Sequence, residues 1–223
     1  MILYHGSSSI VQSPTFGAGN PHNDYGLGLY CTESLDLALE WACTEGGNGF
    51  ANKYEIDASE LEICHLKTPQ YHILNWLAIL LNNRQFTTSA GLPTQAKDYI
   101  IKEFLPDCTS ADIIIGYRAD DSYFSFARAF LNGTISLSQL SEAMKYGDLG
   151  EQVVLMSRKA FGQLKYIDSI PADGSVYGVL RERRDQDARH RFDELRKTSG
   201  VSDDVYVIDI IRNQWKNDDP RLR

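Results

Sequence analysis

Residues 24–42 read DYGLGLYCTESLDLALEWA and place a strand, a capping residue and a helix in immediate succession. Leu29-Tyr30-Cys31 is a short run of strand-forming residues. Thr32 or Ser34 can cap a helix whose apolar residues recur at the spacing i, i+3, i+4, i+7: Leu35, Ala38, Leu39 and Ala42. Gly46-Gly47 ends that helix. The two glycines at 26 and 28 do not make a dinucleotide fingerprint, because no third glycine opens a helix directly after the strand.

The segment before this unit combines a short strand with a long loop. Ile2-Leu3-Tyr4 favours a strand that ends at His5-Gly6. Residues 13–28 then contain six glycines and prolines, which predicts a loop of unusual length. Long loops inside compact domains are often functional, so this loop is a candidate for lining a functional site.

Strands and helices alternate irregularly along the rest of the chain. Apolar runs predict strands at 50–56, 112–116, 152–156 and 166–170. Helical spacing and capping signals predict helices at 70–83, near 94–104, from about Ser122 through Phe130, after Ser136 and at 181–197. Because no repeated βαβ unit is present, the pattern indicates an α+β fold.

Composition excludes several classes of protein. The 223 residues carry a formal net charge of -8, which argues against non-specific coating of nucleic acid. No apolar run approaches the roughly 20 residues of a membrane span, and the N-terminus does not resemble a signal peptide. The four cysteines lack CxxC spacing and are expected to be reduced thiols in a cytoplasmic protein. The histidines show no metal-ligand spacing, so no metal is expected.

Three segments together suggest a family. Leu3-Tyr4-His5-Gly6-Ser7, Gly26-Leu-Gly28-Leu-Tyr30 with its following helix, and Glu151-Gln152-Val153-Val154-Leu155 occur in this order. They resemble the three motifs of the ADP-ribosyltransferase superfamily in its His-Tyr-Glu form, shared by diphtheria-toxin-like enzymes and poly-ADP-ribose polymerases. The order also resembles a bacterial family of unassigned function within that superfamily. The resemblance runs from residue 2 to about residue 170.

The resemblance implies a fold, an activity and partners. It implies an α+β core of split mixed and antiparallel sheets flanked by helices over residues 1–172, with a helical C-terminal extension over 173–223. It implies a mono-ADP-ribosyltransferase that uses NAD as co-substrate, releases nicotinamide and modifies a protein or nucleic acid. Some members of the bacterial family resemble toxins of toxin–antitoxin pairs, which implies a small antitoxin partner and no membrane.

The resemblance also implies a role for individual residues. Glu151 would stabilise the positive charge that builds on the ribose as the nicotinamide bond breaks. Tyr30 would stack on the nicotinamide ring, and His5 would hydrogen-bond a ribose hydroxyl. Further contacts with NAD are expected from the two motif loops: Gly6, Ser7, Asp24 and Tyr25. Trp41 is expected to lie in the core.

Gln152 is the alternative to Glu151 as the residue of this strand that faces the cleft. A strand alternates faces, so Glu151 and Gln152 cannot both face the cleft without a bulge, and Glu151 is the preferred choice. If Gln152 faces inward, the charge stabilisation is weaker. Three residues after a predicted buried strand complete the candidates on the acceptor side, together with Gln152: Arg118, Asp120 and Asp121.

Two other functions use the same cleft. An NAD glycohydrolase would employ water as the acceptor, and a non-catalytic module would bind NAD or ADP-ribose without turnover. The arginine-modifying branch carries a glutamate two positions before its catalytic glutamate, whereas this chain has Leu149, so arginine is not the expected acceptor. The charged stretch 181–197 is expected to be a solvated helix face, or the place that holds a nucleic-acid acceptor.

Overall fold

The computed structural model describes residues 1–88, 90–119, 121–146, 150–197 and 204–222, without the side chains of residues 121 and 122. The strands are β1 (Ile2–Ser7), β2 (Leu29–Cys31), β3 (Gly49–Ile56), β4 (Ile63–His65), β5 (Ile113–Tyr117), β6 (Glu151–Leu155) and β7 (Leu164–Ala172). The helices are α1 (Leu35–Ala42), α2 (Ile73–Asn83), α3 (Leu92–Phe104), α4 (Asp121–Leu131), α5 (Leu137–Ala143), α6 (Arg158–Gly162), α7 (Val179–Lys197) and α8 (Val207–Arg212). A π-helical turn, Gly174–Gly178, leads into α7, and a 3₁₀ turn, Pro220–Leu222, lies near the end.

The strands form two sheets in the described part of the chain. The first has the order β1-β3-β7 and is antiparallel. The second has the order β2-β6-β5-β4, in which β4 and β5 run parallel and the other pairs antiparallel. The prediction of an α+β fold is confirmed.

The two sheets meet where β1 approaches β2. Tyr4 and Thr32 exchange two backbone hydrogen bonds, of 2.8 Å and 2.9 Å. This bridge sets the end of β1 beside β2. Residues 25 positions apart, His5 and Tyr30, are therefore neighbours across the junction.

Alternation along β5 divides the core. Ile113 and Ile115 face one apolar cluster, which includes Leu3 of β1. Ile114 faces the larger cluster, which is built around α2 and the helices α3 and α4. Such burial on both faces explains the unbroken apolar run in the sequence.

Helix α1 begins where its capping signal predicts. The Ser34 side chain accepts a hydrogen bond from the Leu37 backbone N–H. The helix packs closely on β1 at Gly6, where an added Cβ would overlap the Ala38 carbonyl oxygen. A glycine is therefore required at this position for packing between the strand and the helix.

The C-terminal segment packs back onto the core. Helix α7 contacts α1, α4 and α5, and Arg184 forms an ion pair with the buried Glu40. The proposed division after residue 172 coincides with the end of β7 and stays a prediction.

The state of the cysteines differs from the expectation of four reduced thiols. Cys64 and Cys108 form a disulfide, whereas Cys31 and Cys43 are buried and free. Their spacing of 44 residues carries no local motif, so only the packing of β4 beside the loop after α3 brings them together. Across the described ranges, no helix combines the length and apolar character that a membrane span needs.

Candidate active site

A cleft opens at the junction of the two sheets. Its main cavity measures about 460 Å³, within the size range of small-molecule sites. A second cavity of about 390 Å³ adjoins it beneath the loop 11–19. Both cavities are lined by His5, Asn23 and Tyr30, so they form two lobes of one cleft.

Residues from several separate parts of the chain line the main cavity. Strand ends contribute His5, Gly6, Tyr30 and Gln152, and the loop before β2 contributes Asn23 and Asp24. The remaining described residues come from helices and connections: Trp41, Thr44, Arg84, Arg118, Ala119 and Arg181. This described lining holds three arginines and one carboxylate, although the chain is acidic overall. The cleft can therefore attract an anionic ligand.

Strand pairing decides which side chains share the cleft face. In the antiparallel pair β2–β6, Tyr30 lies opposite Val154. Directly opposite residues point to the same face of a sheet, and Gln152 shares that face because it lies two positions from Val154. The register thus unites Tyr30 with Gln152 and turns Glu151 to the other face.

The orientation of His5 is set by a backbone contact. Its Nδ1 lies 2.8 Å from the Tyr30 carbonyl oxygen, and a carbonyl can only accept, so Nδ1 carries the proton. Burial lowers the pKa of His5 below its ordinary value of 6.5. At neutral pH the ring is uncharged, and Nε2 is a hydrogen-bond acceptor suited to a ligand hydroxyl.

The Tyr30 hydroxyl holds the loop that covers the cleft. It donates to the Gly26 carbonyl oxygen at 2.6 Å and accepts from the Tyr25 backbone N–H at 3.0 Å. Burial raises the pKa of Tyr30 well above 10, so the hydroxyl stays protonated. With its hydroxyl engaged in this way, the ring is the part of Tyr30 that a ligand can use, by stacking.

Asp24 lies at the cleft as half of a buried ion pair. Its Oδ1 lies 2.7 Å from the Arg84 Nε, and its Oδ2 accepts from the Ala119 backbone N–H at 2.9 Å. Arg84 also donates to the Ala119 carbonyl oxygen. Burial raises the pKa of Asp24, and Arg84 opposes that rise. These hydrogen bonds attach the loop before β2 to the segment after β5, so Asp24 positions the loop.

Two residues that line the cleft each carry a buried polar atom without a hydrogen-bond partner among the described residues. These atoms are the Gln152 side-chain oxygen Oε1 and the Trp41 indole Nε1. The Gln152 side chain belongs to a residue only 6% exposed. Buried polar groups are normally hydrogen-bonded, so an unsatisfied acceptor and an unsatisfied donor beside one cavity are typical of a ligand site.

Glu151 lies outside the described lining of the cleft. Its carboxylate is 33% exposed and lies 2.8 Å from the Lys67 Nζ and 3.7 Å from the His65 Nε2. The expectation that Glu151, rather than Gln152, faces the cleft therefore differs from the structure. The physical reason is the β2–β6 register, which a single strand sequence does not reveal.

Other candidate residues are also placed differently. Tyr25 is a core residue whose hydroxyl donates to the Tyr117 carbonyl oxygen at 2.6 Å, and it lines neither cavity. Ser7 binds Ser9 and Asn52 at the end of the first sheet and likewise lines neither cavity. Trp41, expected in the core, lines the cleft instead.

The remaining acceptor-side candidates are resolved in part. Arg118 lines the cleft with its guanidinium carbon 4.2 Å from the centre of the Trp41 ring. Asp120 and the side chain of Asp121 lie outside the described residues, so their predicted role is unaddressed by the structure.

Sequence reasoning missed Arg84, Arg181, Asn23 and Thr44 as cleft residues. Arg84 follows α2 and reaches the cleft only through its pair with Asp24. Arg181 lies in a charged helical stretch where no local signal separates it from its neighbours. Both depend on contacts between distant segments, which the sequence pattern does not encode.

Comparison with known proteins gives one match. The family model described as "Protein of unknown function (DUF3990)" matches residues 1–166, which include the described cleft residues other than Arg181. Neither a curated protein nor a solved structure was found to match the chain.

Proposed function

The chain belongs to the DUF3990 family, and we propose that it is an NAD-dependent ADP-ribosyltransferase that adds single ADP-ribose units to a macromolecule. The observation that carries the proposal is the meeting of His5, Tyr30 and Gln152 at one cleft. These residues belong to the three segments that resemble the superfamily motifs. The arginines around the cavity and its two adjoining lobes further support a dinucleotide ligand.

The proposed reaction exchanges one bond at the ribose. The bond between the nicotinamide nitrogen and ribose C1′ breaks, and nicotinamide leaves with the bonding electron pair. Positive charge then builds on C1′ and the ring oxygen. A lone pair of the acceptor forms the new bond to C1′, and the acceptor releases its proton to solvent.

Each of the three residues has a proposed task. The Tyr30 ring stacks on the nicotinamide, a contact worth about 1 kcal/mol. Neutral His5 accepts a hydrogen bond from a ribose hydroxyl through Nε2. Gln152 turns its unpartnered oxygen toward the ribose, where its partial negative charge favours the cationic transition state.

A second function is favoured by one specific observation. Gln152 supplies an amide where a carboxylate would stabilise positive charge more strongly. The same cleft could therefore bind NAD or ADP-ribose without cleaving it. A binding module of this kind is the alternative that the experiment must separate from a slow transferase.

Radiolabelled NAD incubated with the protein and cell lysate tests the proposal. Label should appear on macromolecules and decrease at least about tenfold in Gln152→Ala and Tyr30→Ala, whereas Glu151→Gln should behave as the unmodified chain does. Parallel nuclease and protease treatment identifies the acceptor class. Release of free nicotinamide without macromolecular label would indicate hydrolysis, and NAD binding without turnover would indicate the module.

A further inference from the structure

We propose that α7 completes the cleft and that Arg181 binds a phosphate group of the nucleotide there. The inference rests on the proposed function, which it deepens by naming the residue that recognises the ligand's charged part. Arg181 lies beyond the matched residues 1–166, so the family match does not assign it. It also lies beyond residue 170, where the motif resemblance ends.

Arg181 lies between two cavities. It lines the main cavity of the cleft and a neighbouring cavity of about 310 Å³ between α7 and the end of α1. Its Nη1 donates to the Cys43 carbonyl oxygen at 3.2 Å. A guanidinium has five N–H donors, and in the described part of the chain Arg181 has no carboxylate partner. Most of its donors therefore remain for a ligand.

The position of Arg181 is fixed by its neighbours along the chain. One turn later, Arg184 binds the buried Glu40 through two hydrogen bonds, each of 2.9 Å. Before α7, Gly174 packs so closely on the loop 46–47 that an added Cβ would overlap the Gly46 carbonyl oxygen. Helix α7 is thus anchored on both sides of Arg181, which places the guanidinium in advance of binding.

The other two arginines in the described lining of the main cavity already have contacts within the protein. Arg84 is paired with Asp24, and the Arg118 guanidinium lies over the Trp41 ring. Trp41 lines the same cavity, and its buried indole Nε1 has no hydrogen-bond partner among the described residues. A planar guanidinium suits the oxygens of a phosphate, which accept several hydrogen bonds at once.

A purely structural role for Arg181 makes a different prediction. Arg181 would then only cap the carbonyl end of α1 through Cys43, and its loss would affect every ligand equally. A phosphate-binding role affects only ligands that carry phosphate. The two roles can therefore be separated by the choice of ligand.

The test is isothermal titration of the full chain with four probes. They are NAD, nicotinamide mononucleotide, nicotinamide riboside, which lacks phosphate, and inorganic pyrophosphate. The variants are Arg181→Gln and, as a control, Arg183→Gln, an exposed residue of the same helix that lines neither cavity. Circular dichroism verifies that each variant is folded.

Arg181→Gln should weaken NAD binding about 10- to 100-fold, the effect of losing a charged hydrogen bond, and leave nicotinamide riboside within about twofold. If Arg181→Gln also binds nicotinamide mononucleotide more weakly, Arg181 contacts the phosphate on the nicotinamide side of NAD. If only NAD binding is weakened, Arg181 contacts the phosphate on the adenosine side. Arg183→Gln should bind all four probes as the unmodified chain does.

Two results would overturn the inference while leaving the proposed function intact. One is unchanged NAD binding in folded Arg181→Gln, and the other is an equal loss for NAD and nicotinamide riboside. If the unmodified chain binds pyrophosphate in an Arg181-dependent way but binds neither NAD nor nicotinamide riboside, the phosphate site stands and the proposed function fails.

Discussion

Gln152 places an amide in the lining of the cleft, and among the described residues its buried side-chain oxygen has no hydrogen-bond partner. An amide carries a partial charge, so it stabilises a developing cation less than a carboxylate does. A tenfold change in rate corresponds to about 1.4 kcal/mol of transition-state stabilisation, a difference that one side chain can supply. The rate of the proposed reaction is therefore expected to depend strongly on the residue at position 152.

Replacing Gln152 with glutamate should raise the rate of nicotinamide release from NAD by about tenfold, because a full negative charge then faces the ribose. Chromatographic quantification of nicotinamide measures the effect. Glu151→Gln is the matched control and should leave the rate within about twofold, since Glu151 pairs with Lys67 away from the cleft. An unchanged rate in Gln152→Glu together with loss of activity in Glu151→Gln would assign the chemistry to Glu151.

The proposed role of His5 predicts a defined dependence of NAD binding on pH. Burial holds its pKa below 6.5, so the acceptor at Nε2 persists from alkaline pH down to at least that value. As the pH falls through the lowered pKa of folded His5, protonation removes the Nε2 acceptor. The fold also loses stability below about pH 6.5, because the unfolded chain binds this proton more readily than the folded chain does. NAD affinity should be constant from about pH 8 to about pH 6.5 and weaken in more acidic solution.

Titration calorimetry across this pH range measures the dependence on His5. The non-titrating variant His5→Asn should bind more weakly at neutral pH and show a flat profile. His22→Gln is the control, because His22 is exposed and lies on the same loop as Asp24. An unaltered acid limb in His5→Asn would show that another group controls binding.

At the scale of elements, an ion pair with a buried carboxylate adds to the packing that attaches α7 to the core. The Glu40 side chain is 4% exposed and receives two hydrogen bonds from Arg184. Removing one partner of such a pair leaves the other charge buried, which costs about 3–5 kcal/mol. The attachment is therefore strong enough to hold Arg181 at the cleft.

Arg184→Ala leaves the buried Glu40 carboxylate without its cation, so it should lower the free energy of unfolding by about 3 kcal/mol and weaken NAD binding through displacement of α7. Urea denaturation followed by circular dichroism measures the first effect. Lys145→Ala removes an exposed pair with Glu142 and should cost no more than about 0.5 kcal/mol. Equal losses in the two variants would contradict the anchoring role of the pair between Arg184 and Glu40.

Local elements were predictable from the sequence, but their pairing was not. The Ser34 cap, the capping box at Ser136 and the helix α2 all follow from signals within a few residues. The choice between Glu151 and Gln152 depended on the register of β6 with β2, which joins residues more than a hundred positions apart. The burial of Tyr25 depended on Tyr117, which lies 92 positions away in the sequence.

At the scale of the whole molecule, the net charge is -8, yet the described lining of the cleft carries more positive than negative side chains. Three arginines from separate segments surround the cleft with one carboxylate among its described lining. Helix α7, expected to be a solvated face or a nucleic-acid site, contributes one of them. Composition gives the net charge of the chain, but only the tertiary fold shows that three arginines lie together around the cleft.

The direct test of the account is calorimetric titration of NAD into the full chain and into Tyr30→Ala. The unmodified protein should bind one NAD, and Tyr30→Ala should bind at least about tenfold more weakly because the stacking face is lost and the loop held by its hydroxyl is released. Circular dichroism of the variant confirms its fold. Absence of NAD binding by the folded, unmodified chain, or equal affinity in Tyr30→Ala, would contradict the assignment of this cleft to NAD.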